Sequence, residues 1–276
     1  MSDPRTRLAV LGSPIAHSKS PLIQRAAYRE LGLDWSYEAV EMTGDRLPVF
    51  VDSLDGSWRG LSLTMPLKRD ILPLLDRAHP MVERVGGANT VLFADNEVQG
   101  FNTDVLGAVA SLRSVGVESL ESVTLLGAGA TAASVLVAVG ELGARRAVVC
   151  ARTPAKALGL VALGEQEGIE VVVREWSADV GPGIPDAVIS TVPGGQNDLV
   201  FPEAVRASSV LFDVAYDPWP SALALAWQEA GGAVVSGLEL LLQQAVGQVR
   251  IFVGGDPDAP LPDEPRVLEA MRAAVA

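Results

Sequence analysis

Lysine is rare in this chain, and one of the few lysines stands where a reaction could use it. Among 21 lysines and arginines, only Lys19, Lys68 and Lys156 are lysine. An ammonium group can give up a proton, whereas a guanidinium in practice cannot. Lys68 is therefore a candidate proton donor. The alternative is that the three lysines are solvated residues that are lysine by chance in a chain that mostly uses arginine.

A short strand is expected to deliver Lys68 to the edge of a sheet. Apolar and hydroxyl residues alternate from Leu61 to Met65, which is the period of a strand with one buried face. Pro66 cannot donate a hydrogen bond to a sheet and should end the strand. Lys68 would then lie at a strand's carboxyl end, where open α/β sheets bind their ligands.

A glycine-rich turn in the second half of the chain favours dinucleotide binding. The strand-like run Ser122 to Leu126 precedes Gly127-Ala128-Gly129-Ala130-Thr131-Ala132, and a helical run follows. This is G-x-G-x-x-A between a strand and a helix, in which Gly127 allows the tight turn and Gly129 lets the backbone approach a pyrophosphate. The alternative is a tight strand-to-helix connection that binds nothing.

The residues after the next strand indicate which dinucleotide would bind. NAD-binding folds often place an acidic residue here, where it holds the ribose 2′-hydroxyl. This chain has Arg152, Thr153 and Lys156 instead. A forked guanidinium suits the dianionic 2′-phosphate of NADP, so we expect NADP as the cofactor. A solvated helix start with an incidental arginine is the other interpretation.

Two groups of polar residues have both a structural and a functional interpretation. Ser18 and Ser20 precede a helical run that begins at Pro21. Ser20 could cap that helix, or the two hydroxyls and the helix N-terminus could bind a carboxylate or phosphate. Asp104 begins another helical run, where it could simply favour the helix dipole. The local sequence leaves both choices open.

Composition excludes several classes of protein. A net charge of -13 with no basic run argues against a nucleic-acid binder. One cysteine excludes an intramolecular disulfide and, with two histidines, offers little for a zinc site, so we expect no metal. The absence of a very long apolar segment predicts a soluble protein without a membrane partner. The first residues lack the pattern of a secretory signal, so we expect a cytoplasmic location.

Several segments, in order along the chain, resemble the shikimate dehydrogenase family. The likeness extends from about Leu11 to Gly254, and its motifs lie at residues 14–21, 64–68, 88–90, 102–104, 213–218 and 237–244. The resemblance implies the reversible reduction of 3-dehydroshikimate to shikimate by NADPH, in the synthesis of aromatic amino acids. Chance is a poor explanation for so many motifs in the right order.

The resemblance also implies roles for individual residues. Lys68 would stabilise and protonate the carbonyl oxygen of the substrate, and Asp104 would position the ammonium group. The residues that would bind the substrate are Ser18, Ser20, Thr64, Asn89, Tyr216 and Gln244. The residues that would bind the cofactor are Gly127, Ala128, Gly129, Ala130, Thr131, Arg152, Thr153, Lys156 and Gly237.

Strands and helices alternate along the chain, which predicts an α/β protein with mostly parallel sheets. A shift of composition near residues 114–117 marks a second unit. We expect an N-terminal, mostly parallel αβα substrate domain of residues 1–104 and 238–276. Residues 105–237 should form a Rossmann-type domain that binds the dinucleotide. Within the first domain, residues 71–85 have a helical pattern with breaks at its prolines.

Three departures from the family pattern leave the substrate open. Ser62 stands where asparagine is usual, Ala130-Thr131 replaces a common Gly-Ala pair, and Ala151 replaces an asparagine. A relative that uses quinate or aminoshikimate would share most of the motifs. A non-catalytic protein that senses the nicotinamide cofactor is a further alternative. The sequence does not settle whether the protein is a monomer or a homodimer.

Overall fold

The computed structural model describes residues 6–193 and 197–276. Its contacts divide the chain into two compact units, one of residues Met1–Thr103 with Leu242–Ala276 and one of residues Asp104–Leu241. The strands are β1 (Arg7–Gly12), β2 (Ser36–Glu41), β3 (Trp58–Leu63), β4 (Arg77–Ala78), β5 (Thr90–Ala94), β6 (Glu97–Phe101), β7 (Ser122–Leu126), β8 (Arg146–Ala151), β9 (Glu170–Glu175), β10 (Ala187–Ser190), β11 (Val210–Asp213) and β12 (Val234–Ser236). The α-helices are α1 (Ser20–Glu30), α2 (Leu47–Asp52), α3 (Pro80–Val85), α4 (Asp104–Arg113), α5 (Ala130–Glu141), α6 (Leu158–Glu167), α7 (Glu203–Ser208), α8 (Ala222–Glu229), α9 (Gly237–Gly254) and α10 (Glu264–Ala273).

The first unit contains a mixed sheet with the strand order β2-β1-β3-β5-β6-β4. Strand β1 pairs in parallel with β2 and β3, and β4 pairs in parallel with β6. Strand β5 is antiparallel to both of its neighbours. The hairpin of β5 and β6 turns at Asp95 and Asn96, whose φ angles are 55° and 60°. These positive φ values are what a two-residue hairpin turn demands.

Strand β3 is buried on both faces, although its pattern predicts only one buried face. Leu61 and Leu63 belong to a core cluster that also contains Leu11, Leu47 and Ile71. Ser62, on the opposite face, is only 3% exposed. The prediction of a polar outer face is wrong because β3 is a central strand, and the Ser62 hydroxyl has hydrogen-bonding partners inside the unit.

The pattern of residues 71–85 predicts a helix with breaks at its prolines, and this prediction is wrong. These residues form a short 3₁₀ turn at Leu72–Leu74, then strand β4 and then helix α3. Proline lacks an amide donor and disfavours the helical conformation in the residue before it. Pro73 lies within the short 3₁₀ turn, and Pro80 is the first residue of α3. The sequence patterns do not indicate helices α2 and α7.

The second unit contains a parallel sheet with the strand order β12-β11-β10-β7-β8-β9. All five pairings are parallel. Numbered within this unit, the order is that of a dinucleotide-binding Rossmann fold, which confirms the predicted fold class. The carboxyl ends of all six strands therefore lie at one edge of the sheet. In the part of the chain that the structure describes, no helix is long and apolar enough to cross a membrane.

Candidate active site

Lys68 lies in a turn that follows β3, and its backbone is held firmly. Its carbonyl oxygen accepts a hydrogen bond from the backbone N–H of Ala88 at 2.8 Å. A Cβ atom added to Gly87 would lie 3.4 Å from the same carbonyl oxygen. Leu67, the preceding residue, is completely buried, and its N–H bonds to the carbonyl oxygen of Thr64. The predicted lysine and the Ala88-Asn89 segment are thus brought together within the first unit.

Asn89 joins three segments of the first unit through its amide group. Its Oδ1 atom accepts hydrogen bonds from the N–H of Thr103 and the hydroxyl of Thr90, both at 2.9 Å. Its Nδ2 atom donates to the Thr103 hydroxyl at 2.9 Å and to Oε1 of Gln244 at 3.3 Å. Asn89 is 2% exposed. The start of β5, the end of the segment after β6 and helix α9 therefore meet at this one side chain.

Asp104 follows Thr103 directly and is the first residue of α4. Asp104 is 6% exposed as a residue, and Thr103 is fully buried. Asn102 secures the same segment, because its Nδ2 atom donates to the carbonyl oxygen of Gly87 at 2.9 Å. Thr103, the last residue of the first unit, belongs to the network around Asn89, and Asp104 is the first residue of the second unit.

A buried chain of hydrogen bonds runs behind Asn89. The hydroxyl of Tyr37 donates to Ser62 Oγ at 2.7 Å, and the hydroxyl of Ser62 donates to Oε1 of Gln248 at 2.9 Å. Nε2 of Gln24 donates to the same Oε1 atom at 3.0 Å. Gln248 then donates from Nε2 to the backbone carbonyl oxygen of Asn89 at 3.3 Å. Burial raises the pKa of the Tyr37 hydroxyl, so it remains a donor.

Gln248 and Tyr37 are not among the site residues that the sequence indicates. One signal for Gln248 is its spacing, because it lies four residues after Gln244 and therefore on the same face of α9. A buried polar side chain on a largely apolar helix needs a partner, which points to a hydrogen-bonded network. Tyr37 carries no comparable signal, since aromatic residues in strands are usually core residues.

Ser18 and Ser20 lie in one turn at the start of α1. The N–H of Ser20 donates to the Oγ atom of Ser18 at 3.3 Å. Lys19 occupies the N-cap position, and Ser20 is already the first helical residue. The interpretation of Ser20 as the helix cap is therefore wrong. Its side chain is 7% exposed, whereas that of Ser18 is half-buried.

The glycine-rich turn of the second unit has the geometry that its sequence predicts. Gly127 has a φ of +108°, and a Cβ atom there would lie 2.5 Å from Oγ1 of Thr191. Gly129 is extended and precedes Ala130, the first residue of α5. A Cβ atom on Gly129 would meet nothing within 4 Å. Open space before a helix N-terminus fits the pyrophosphate of a dinucleotide. Ala128 lies between the two glycines, and Thr131 is the second residue of α5.

Arg152, Thr153 and Lys156 follow β8, the strand next to β7. The N–H of Gly127 donates to the carbonyl oxygen of Cys150 at 2.9 Å, which joins the glycine turn to the end of β8. Lys156 lies in a 3₁₀ turn whose N-cap is Thr153. Two cations and a hydroxyl are a donor set that fits the 2′-phosphate of NADP. When bound, NADPH is a hydride donor.

Two further predicted residues follow the last strands of the second unit. Gly237 comes directly after β12, and its N–H donates to the carbonyl oxygen of Ala215 at 3.2 Å. A side chain at Gly237 would overlap the carbonyl oxygen of Val214, so the position requires glycine. Tyr216 is half-buried after β11, where burial and the charge of Asp217 raise the pKa of its hydroxyl.

Comparisons with known proteins give a consistent answer. Residues 10–91 match the model of the shikimate dehydrogenase substrate binding domain. A shikimate dehydrogenase (NADP(+)) of Thermus thermophilus is 34% identical over 98% of both chains. The chain belongs to the shikimate dehydrogenase family.

Solved structures of the family extend this likeness to the fold. The shikimate dehydrogenase of Mycobacterium tuberculosis has a TM-score of 0.82 and 35% identity, covering 97% of this chain and 99% of that one. A shikimate dehydrogenase of Thermus thermophilus, solved in complex with NADP(H) and shikimate, has a TM-score of 0.82 and 32% identity, covering 98% and 100%. Both structural units are thus represented among the relatives.

Proposed function

We propose that this chain is an NADP-dependent shikimate dehydrogenase that reduces 3-dehydroshikimate reversibly to shikimate. Membership of the family supports the proposal, as does a relative solved with NADP(H) and shikimate. The observation that carries it is the meeting of three distant segments in the first unit. Lys68 bonds through its backbone to Ala88, and the next residue, Asn89, bonds to Gln244. We assign substrate binding to this unit and NADP binding to the second.

Lys68 and Asp104 would carry the proton chemistry. Negative charge grows on the C3 oxygen of the substrate as its carbonyl carbon is reduced, and the Lys68 ammonium stabilises that charge and donates a proton. Asp104 holds the hydroxyl next to the reacting carbon and orients the ammonium. General acid–base assistance of this kind is worth roughly 100- to 10,000-fold in rate.

The remaining polar residues would bind and orient the substrate. Ser18 and Ser20 supply hydroxyl groups for its carboxylate, while Thr64, Gln244 and Tyr216 contact the ring substituents. Asn89 already uses both Nδ2 hydrogens inside the protein, and its bond to Gln244 is the longer of the two. We therefore propose that a substrate hydroxyl replaces the contact between Asn89 and Gln244, while the bond to Thr103 persists.

The proposed cofactor site comprises the glycine turn, the residues after β8 and Gly237. Backbone N–H groups of residues 127–131 receive the pyrophosphate, and Arg152, Thr153 and Lys156 receive the 2′-phosphate. We further propose a cytoplasmic location, since one cysteine allows no intramolecular disulfide and such bonds are rare in cytosolic proteins. The oligomeric state is proposed to be monomer or homodimer.

Nicotinamide absorbance tests this function and separates the alternatives. The purified protein is assayed with shikimate and with quinate, each with NADP and with NAD. The proposal predicts fastest turnover with shikimate and NADP. Faster turnover with quinate would assign the chain to a different reaction of the family. Failure of all four pairs would contradict an enzymatic function on these acids and favour the cofactor-sensing alternative.

A further inference from the structure

Arg152 and Trp176 follow two neighbouring strands at the same edge of the sheet in the second unit. Strands β8 and β9 are parallel, and their last paired residues are Ala151 and Glu175. The residues that follow these two strands are Arg152 and Trp176, which therefore lie side by side. The Cζ atom of Arg152 is 5.1 Å from the centroid of the Trp176 ring, within the distance at which a cation is attracted to an aromatic face.

The indole of Trp176 is itself held in place. Its Nε1 atom donates a hydrogen bond to Oδ1 of Asp198 at 3.2 Å. The ring also packs, partly buried, against the core cluster that includes Val148, Cys150 and Val188. Trp176 is thus anchored at its polar edge and along the protein core, and it offers Arg152 a fixed surface.

We propose that Trp176 is a positioning residue that increases the preference for a 2′-phosphorylated dinucleotide by holding Arg152. This inference rests on the NADP site proposed above. A free arginine side chain loses much rotamer freedom when it binds a phosphate, and a side chain that is already held loses less. Contact with the ring uses the positive charge of the guanidinium and none of its N–H donors. Those donors are what a phosphate needs.

Two small probes isolate the 2′-phosphate without the need for turnover. Adenosine 2′,5′-bisphosphate and adenosine 5′-monophosphate share the adenosine and the 5′-phosphate, and they differ in the group assigned to Arg152. Their dissociation constants can be measured by titration calorimetry on the full chain. We expect Trp176→Leu to weaken the bisphosphate by about two- to five-fold, the size of an exposed cation–aromatic contact. The monophosphate should bind as to the wild type.

A second substitution shows whether Trp176 acts through Arg152. In an Arg152→Ala background, Trp176→Leu should have no further effect on the bisphosphate, because the side chain that it holds is gone. Trp176→Phe keeps an aromatic face and should lose less affinity than Trp176→Leu. Trp35→Leu is the matched control, since Trp35 is also half-buried but lies in the first unit beside Tyr28. It should change neither affinity.

Four results would overturn the inference. Equal weakening of both probes would mean that the ring supports the adenosine, and no weakening would mean that it has no role in binding. An effect that persists in Arg152→Ala would show that Trp176 does not act through that arginine. A wild-type protein without preference for the bisphosphate would contradict the NADP site itself. Turnover of shikimate enters none of these results, so the enzymatic proposal can fail separately.

Discussion

The hydroxyl of Ser62 donates a hydrogen bond to Oε1 of Gln248 at 2.9 Å in the buried interior of the first unit. Ser62 also accepts a hydrogen bond from Tyr37, so its only hydrogen and one of its lone pairs are already committed. Asparagine is usual in the family at this position, and the serine that replaces it here is part of a hydrogen-bonding network inside the first unit. Ser62 therefore supports the backbone of Asn89 through Gln248.

Replacing Ser62 tests this network. Ser62→Ala removes the acceptor of the Tyr37 hydroxyl and a donor to Gln248, and a buried polar group without a partner costs about 1–3 kcal/mol. We expect a loss of that order in the free energy of unfolding, measured with urea. Tyr37→Phe should cost clearly less in the Ser62→Ala background than in the wild type. Costs that simply add, within about 0.5 kcal/mol, would show that the two residues are not coupled.

The two glycines of the dinucleotide turn should respond differently to the same substitution. Gly127→Ala puts a Cβ atom against Thr191 at a positive φ, and we expect it to lower the free energy of unfolding by about 1–3 kcal/mol. Gly129 has an extended backbone and open space around it. Gly129→Ala should preserve stability but weaken NADPH, because the methyl group occupies the space proposed for the pyrophosphate. Thermal unfolding and NADPH titration of both variants provide the test, and unchanged NADPH affinity in Gly129→Ala would contradict this placement.

Asp213 makes stability depend on pH in a defined direction. Asp213 is 3% exposed, and burial raises the pKa of its carboxyl group despite hydrogen bonds from the Ser221 hydroxyl at 2.6 Å and the Ala215 N–H at 3.2 Å. The Asp213 carboxyl group therefore binds a proton more tightly in the folded state than in the unfolded chain. The contribution of Asp213 to the free energy of unfolding falls as pH rises through the raised pKa.

The amide side chain in the Asp213→Asn variant does not ionise and stays neutral as pH rises. We expect the unfolding free energy of Asp213→Asn, relative to the wild type, to increase as pH rises from about 4, the ordinary pKa of aspartate. Urea unfolding of both proteins at several pH values measures the difference. A difference that is independent of pH, or that decreases as pH rises, would exclude the proposed effect of burial.

Local sequence patterns predict the strands of the second unit well because most of them are short, apolar and followed by a turn or helix signal. The run Ser122 to Leu126 and the glycines after it illustrate this agreement. In the first unit, Ser62 and Tyr37 are 25 positions apart, and no local period reveals that their side chains meet. The alternation from Leu61 to Met65 also predicts an exposed face for Ser62, because alternation does not show that a strand is covered on both sides.

The candidate site likewise combines residues that the sequence indicates with partners that only the folded structure reveals. Lys68 and Gln244 are indicated by residue type and by family resemblance, whereas the partners that fix their surroundings arise only from tertiary contacts. Gln248 illustrates this point, since it touches residues from α1, β3 and the start of β5. A partner that lies more than a hundred residues away cannot be found from spacing on one helix.

The most direct test of the account compares the wild type with Lys68→Ala in the oxidation of shikimate by NADP. The wild type should form NADPH, and Lys68→Ala should do so roughly 100- to 10,000-fold more slowly, because it lacks the amine that accepts the proton of the substrate hydroxyl in this direction. Lys68→Arg, whose guanidinium stays protonated and cannot accept that proton, should be impaired as well. All three proteins should bind NADPH equally. A fall of only a few-fold in Lys68→Ala would contradict the central role of Lys68.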